Sequence, residues 1–135
     1  SQAGHVSEAS VELVDLMPTW LEAAGLPIPD SLPGRSLAPL LEGASPEITN
    51  WRSSTLAEMY TSSRPQWMLR ESRYKLIERQ DGNSAFYDLQ QDPNEFENRI
   101  DDPEFAKIRD RMRLTLLERV MSTTQQGANR LKPAP

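Results

Sequence analysis

The apolar residues of this chain change their spacing twice along its length, and that change limits what it can fold into. From Val11 to Ala24, Leu13, Leu16, Met17, Trp20, Leu21 and Ala24 recur at steps of three and four, as one face of a helix requires. Past residue 50 the period drops to two in four short runs, "SSTLAEMY", "QWMLRES", "YKLIER" and "SAFYDL", each bounded by polar turns. The helical spacing returns from Phe105 through Ile108, Met112, Leu116 and Val120. This order predicts class α+β: an antiparallel β-meander of about four strands packed by a long C-terminal α-helix, preceded by a helical lead segment.

Punctuation residues set the expected boundaries. Pro18 is tolerated only in a first turn, which makes Asp15 the expected N-cap of the first helix, and Gly25 stops it. "GLPIPDSLPGRS" is expected to run extended, with Ser36 capping a short helix over residues 37–41 that Gly43 ends. After the "GASPEITN" linker, "ESR" and Asp81-Gly82-Asn83 are the expected hairpin turns. Asp102 caps the last helix with Pro103 in its first position, and "QQGANRLKPAP" reads as a tail. Lys107, Arg109, Asp110, Arg111, Arg113 and Glu118 are expected to meet solvent. The resulting domain boundaries are 1–48 for a helical linking segment, 49–124 for the sheet and helix, and 125–135 for the tail.

Composition narrows the partners. In 135 residues the net charge is −5, spread over mixed charges without a basic stripe, so a nucleic-acid partner is not expected. No apolar run approaches the roughly 20 residues of a membrane span, and the start "SQAGHVSEAS" lacks a secretion signal, so the chain reads as soluble with no membrane partner. Such a start, leading directly into an amphipathic pattern, fits a piece of a longer chain. Cysteine is absent, which removes disulfides, thiolate metal sites and a Cys nucleophile.

Few residues invite a chemical reading. His5 has no His, Cys or paired carboxylate at ligand spacing and reads as an exposed imidazole. Asp88, Asp92, Glu95, Glu97, Asp101, Asp102 and Glu104 lack the alternating pattern of a calcium loop and read as a solvated turn with a helix cap. Arg64, Trp67, Arg70, Arg73 and Lys75 lie on or beside the meander. They could form a cationic, aromatic rim for an anionic ligand, with Arg64 and Trp67 the substrate-rim candidates. In the competing reading Trp67 and Leu69 face the helix, while Arg70 and Lys75 face solvent or pair with Glu71 and Glu78.

Taken together, "VELVDLMPTWLEAAGLPIPDSLPGRSLAPLLEG", "MLRESRYKLIE" and "AFYDLQQDPNEFENRIDDPEF" resemble, in order, the C-terminal third of sulfatases of the alkaline phosphatase superfamily, over residues 6 to about 122. The resemblance implies the C-terminal subdomain of an alkaline-phosphatase-like fold. The parent would hydrolyse sulfate monoesters with a formylglycine and a calcium-like divalent metal, both held N-terminal to this region. No catalytic residue, metal ligand or cofactor is therefore expected in this chain, which alone should be inactive. Ser31 heads a Ser-x-Pro-x-Arg spacing like the site of formylglycine formation, but it follows the "VDLMPT" landmark, whereas the modified residue of sulfatases precedes the metal segments. It is read as a loop residue. The expected partner is the N-terminal catalytic domain of the same protein, docked on Leu13, Leu16, Met17, Trp20 and Leu21, with self-association through that face as the rival outcome. Two alternatives stand: the C-terminal part of a related phosphonate or phosphate monoester hydrolase, and a non-catalytic α+β interaction module.

Overall fold

The computed structural model describes residues 4, 6–43, 51–61 and 64–129, with the side chains of the final helix as far as Thr123. The chain divides into two compact units, residues 54–120 and residues 1–53 together with 121–135. The expected boundary at 48/49 thus compares with a sheet unit that begins at Ser54.

The unit of residues 54–120 holds a four-stranded antiparallel sheet in sequence order: β1 (Ser54–Thr61), β2 (Arg64–Glu71), β3 (Tyr74–Arg79) and β4 (Ala85–Asp88). Two residues join β2 to β3, and Asp81-Gly82-Asn83 turns the chain into β4, with Gly82 at φ 83° where a side chain would be strained. The register sets Leu56 opposite Leu69, Leu69 opposite Leu76 and Leu76 opposite Phe86, so one row of apolar side chains crosses the sheet on one face. On that face lies the long helix. A 3₁₀ turn, Pro103–Phe105, opens it, with the Asp102 carboxylate accepting from the Glu104 N–H at 3.0 Å.

The helix itself, α3, is Ala106–Asn129 after α1 (Leu16–Ala23) and α2 (Ala38–Leu41). Phe105, Met112 and Leu116 are buried with Leu69, Leu76 and Phe86, while Ile108 and Val120 pack at the margin. Phe86 sits 5.6 Å from both Tyr74 and Phe105, ring centre to ring centre, an aromatic triplet where sheet and helix meet. The expected tail from residue 125 is corrected: the backbone stays helical to Asn129, and 130–135 lie outside the described residues. Gly127 is tolerated because one glycine costs a helix only about 1 kcal/mol.

Arg70, Arg111 and Arg113 are exposed as expected, and the structure adds the pairings around them. Arg111 donates to both Glu71 oxygens at 2.6 and 2.7 Å, and Arg113 to Glu78 at 2.6 Å, so these arginines reach the sheet. Glu71 and Glu78 share the apolar row's face by alternation, which turns them to the helix and away from Arg70 and Lys75. Lys75 instead meets Glu95 at 2.6 Å.

In the other unit, a 3₁₀ turn, Leu13–Asp15, leads into α1, and α2 follows the proline-rich connection. The expected cap moves by one residue: Leu37 stands at the N-cap of α2, and Ser36 just before it accepts from the Ala38 N–H at 3.2 Å. The inner side of α1 is formed by Pro18 and Thr19, not by its large apolar residues. Among the described residues no helix is long and apolar enough to cross a membrane.

Candidate functional site

Two clusters of polar bonds organise the chain, one in each unit, and each is built from residues far apart in sequence. The first centres on Asp15, whose side chain no solvent reaches. Asp15 was expected to cap its own helix; it makes no such bond, because the helical turn begins earlier and the carboxylate turns back to the Glu12 N–H at 2.8 Å. Its other oxygen accepts from the Arg35 N–H at 2.9 Å, and Arg52 closes a two-pronged ion pair at 2.5 and 2.7 Å. Thr19 relays the tie, donating to the Asp15 carbonyl at 2.6 Å and accepting from the Leu37 N–H at 2.9 Å.

Burial alone would raise the Asp15 carboxyl, but the bonds from Arg52 and from the Arg35 and Glu12 amides outweigh it and hold its pKa below the ordinary value of 3.8. Gly34 completes the cluster. A Cβ there would stand 2.1 Å from the Val14 carbonyl oxygen, so the loop can lie against the 13–15 turn only without a side chain.

The second cluster closes the sheet. Arg73, in the β2–β3 turn, grips the buried Asp88 carboxylate through Nε and Nη2, the latter at 2.7 Å, and Asp88 also accepts from the Gln90 N–H at 3.1 Å. The Arg73 guanidinium, opposed by partial desolvation and aided by Gln90, keeps the Asp88 carboxyl below its usual range. Asp92 accepts from the Glu97 N–H at 2.8 Å, and Glu95 reaches Lys75 from a left-handed backbone at φ 58°. Asn98 accepts from the Phe86 N–H at 3.0 Å and donates to the Ser84 carbonyl at 3.2 Å, which covers the outer edge of β4.

The acidic run of 88–104 is thus dispersed over separate partners. Among the described residues no group of three or more His, Asp or Glu is placed so that it could hold a metal ion.

Arg64 and Trp67 are not brought together. They lie three positions apart on β2, so alternation sends them to opposite faces. Arg64 is exposed, 3.8 Å from Asp81. Trp67 packs at the edge of the core on the α3 side and donates its indole N–H to Glu58 at 3.1 Å. Ser31 occupies an exposed turn, and Gly34 and Arg35 of the same spelling are used in the Asp15 cluster. His5 lies outside the described residues. The residues missed by sequence reasoning are Glu12, Thr19, Arg52 and Asn98; only their pairing across the fold gives them meaning.

These clusters use the same letters that make up the motifs, and the family comparison agrees. The family model of N-sulphoglucosamine sulphohydrolase, C-terminal, matches residues 1–122. The chain belongs to this family of sulfatase C-terminal regions. Within it, a Delta 4,5-hexuronate-2-O-sulfatase of Bacteroides thetaiotaomicron is 34% identical over 102 residues, covering 70% of this chain and 20% of that protein. A solved 2-O GAG sulfatase superposes with a TM-score of 0.71 at 31% identity, over 87% of this chain and 26% of the other. The phosphonate monoester hydrolase of Agrobacterium radiobacter gives 0.68 at 28%, over 81% and 24%. The sheet and helix are therefore those of the C-terminal subdomain of an alkaline-phosphatase-like fold, and the chain spans about a fifth to a quarter of these relatives.

Proposed function

We propose that this chain is the C-terminal subdomain of a sulfatase whose N-terminal region carries the nucleophile and the metal and hydrolyses sulfate monoesters. The observation that carries this reading is the apolar side of the first helix: Leu13 is 86% and Trp20 62% exposed, and Leu16 and Met17 are exposed beside them. Large apolar residues gathered on one helix side mark an interaction surface, and the family relatives are four to five times as long as the stretch matched here. The catalytic region of the same polypeptide is the partner that fits.

In this reading the chain supplies position and not chemistry. The Asp15 cluster fixes α1 and the "GRSL" loop so that the apolar side is presented as one rigid surface, and no group of this chain enters the reaction. The test is aryl sulfate hydrolysis by the parent polypeptide and by this chain alone. Activity confined to the parent is expected; turnover by the isolated chain that is lost on Ser31→Ala would overturn the reading. A second reading, a phosphonate or phosphate monoester hydrolase, is favoured by the Agrobacterium radiobacter likeness, and the parent's preference between sulfate and phosphonate esters separates the two.

A further inference from the structure

The helix α3 carries apolar side chains on two sides. Phe105, Met112 and Leu116 are buried against the sheet, yet Leu114 and Leu117, on the side turned away, are 58% and 56% exposed. A helix that covered a sheet and met water would carry polar residues there. Arg111 and Arg113 bend to Glu71 and Glu78, which leaves Leu114 and Leu117 uncovered. Beside Leu117 runs a groove of about 400 Å³ lined by Trp67, Glu78, Arg113, Leu116, Leu117 and Val120.

The groove's polar groups are already spent. Glu78 is held by Arg113 and the Ser84 hydroxyl, and the Trp67 indole by Glu58. A small ligand needs convergent polar groups to orient it, and none is presented here. Flanking charges Lys107, Asp110 and Glu118 are of mixed sign, which suits neither a polyanion nor an acidic membrane surface. An apolar protein surface is the occupant these features fit. The length of the relatives, of which this chain covers 20% and 26%, says where it comes from.

We infer that Leu114, Leu117 and the groove beside Trp67 form a second seat for the catalytic region of the same polypeptide, which packs α3 between the small sheet and that region. The inference rests on the sulfatase reading above but concerns a different surface.

Because this chain has no cysteine, single cysteines placed in the parent polypeptide report exposure when thiol labelling is read peptide by peptide. The variants are Leu117→Cys and Leu114→Cys, with exposed Glu104→Cys as reference and Met17→Cys as reporter of the first-helix surface. Labelling at 117 and 114 is expected to be at least tenfold slower than at 104, and equal to it in urea. Labelling as fast as at 104, with Met17→Cys still protected, overturns this inference and leaves the sulfatase reading intact. Fast labelling at all sites overturns the docking part of both. Protection at 117 that disappears on dilution assigns the seat to a second copy and also overturns the inference.

Discussion

Asp15 accepts from two backbone amides and from both prongs of Arg52, so removing it and removing its partner are unequal losses. Asp15→Leu leaves two N–H groups without their acceptor and leaves Arg52, with a side chain only 8% exposed, with the Glu12 carboxylate at 3.7 Å in place of its two-pronged pair, and should cost about 3–5 kcal/mol. Arg52→Met leaves Asp15 its amide bonds and should cost clearly less; equal shifts in the urea midpoint would contradict this account. Gly34→Ala must displace the Val14 backbone and should cost about 1–3 kcal/mol, the range for overpacking a tight site, read from the same midpoints.

Asp15 and Asp88 both titrate below the ordinary 3.8. The unfolded chain therefore binds more protons than the folded one in that window, and the stabilisation is complete above about pH 5 and lost as pH falls through the folded values. Urea midpoints measured from pH 7 to 3 should be flat and then drop below about pH 4, with a shallower drop in Asp88→Asn. None of this was legible at single positions. "VDLMPT" and "GRSL" could be read as landmarks, but nothing in the spacing of residues 15, 35 and 52 says that they meet.

At the scale of elements, the strands were legible because alternation and turn residues agree. Asp81-Gly82-Asn83 and the two-residue β2–β3 link leave little choice of topology. Leu76 lies at the centre of the apolar row between Leu69 and Phe86 and is fully buried. Leu76→Ala should therefore cost about 2–5 kcal/mol, seen as a lower melting temperature; a loss below 1 kcal/mol would mean that the row does not carry the sheet. Less legible were the charged residues. Arg111 and Arg113 have the pattern of a solvent face, and only the crossing of helix over sheet brings them within reach of Glu71 and Glu78. The end of α3 was misplaced for a local reason, since a glycine and polar residues weaken the signal of a helix without ending it.

For the whole molecule, the two candidate rim residues separate. Arg64 stands on the open sheet face, exposed and loosely placed near Asp81, whereas Trp67 belongs to the α3 side. Arg64 is thus our proposed rim residue and Trp67 part of the docking surface. Arg64→Ala in the parent should raise KM about fivefold, the effect of about 1 kcal/mol from an exposed ionic contact, with kcat unchanged; an unaltered KM would remove Arg64 from the rim. The clusters around Asp15 and Asp88 give the motif letters a structural role that accounts for their value as landmarks of the family. They are the residues that hold the loops in place.

By itself the sequence determined the class, the order of elements and the family, because these follow from periodicity, turn residues and ordered motifs, all of which are local along the chain. Tertiary structure decided which polar residues are paired, which side of α1 and α3 stays bare, and that Arg64 and Trp67 diverge. The reason is physical: pairing and exposure depend on distances between segments that only packing sets, and a pattern one residue out of phase points a side chain to the opposite face.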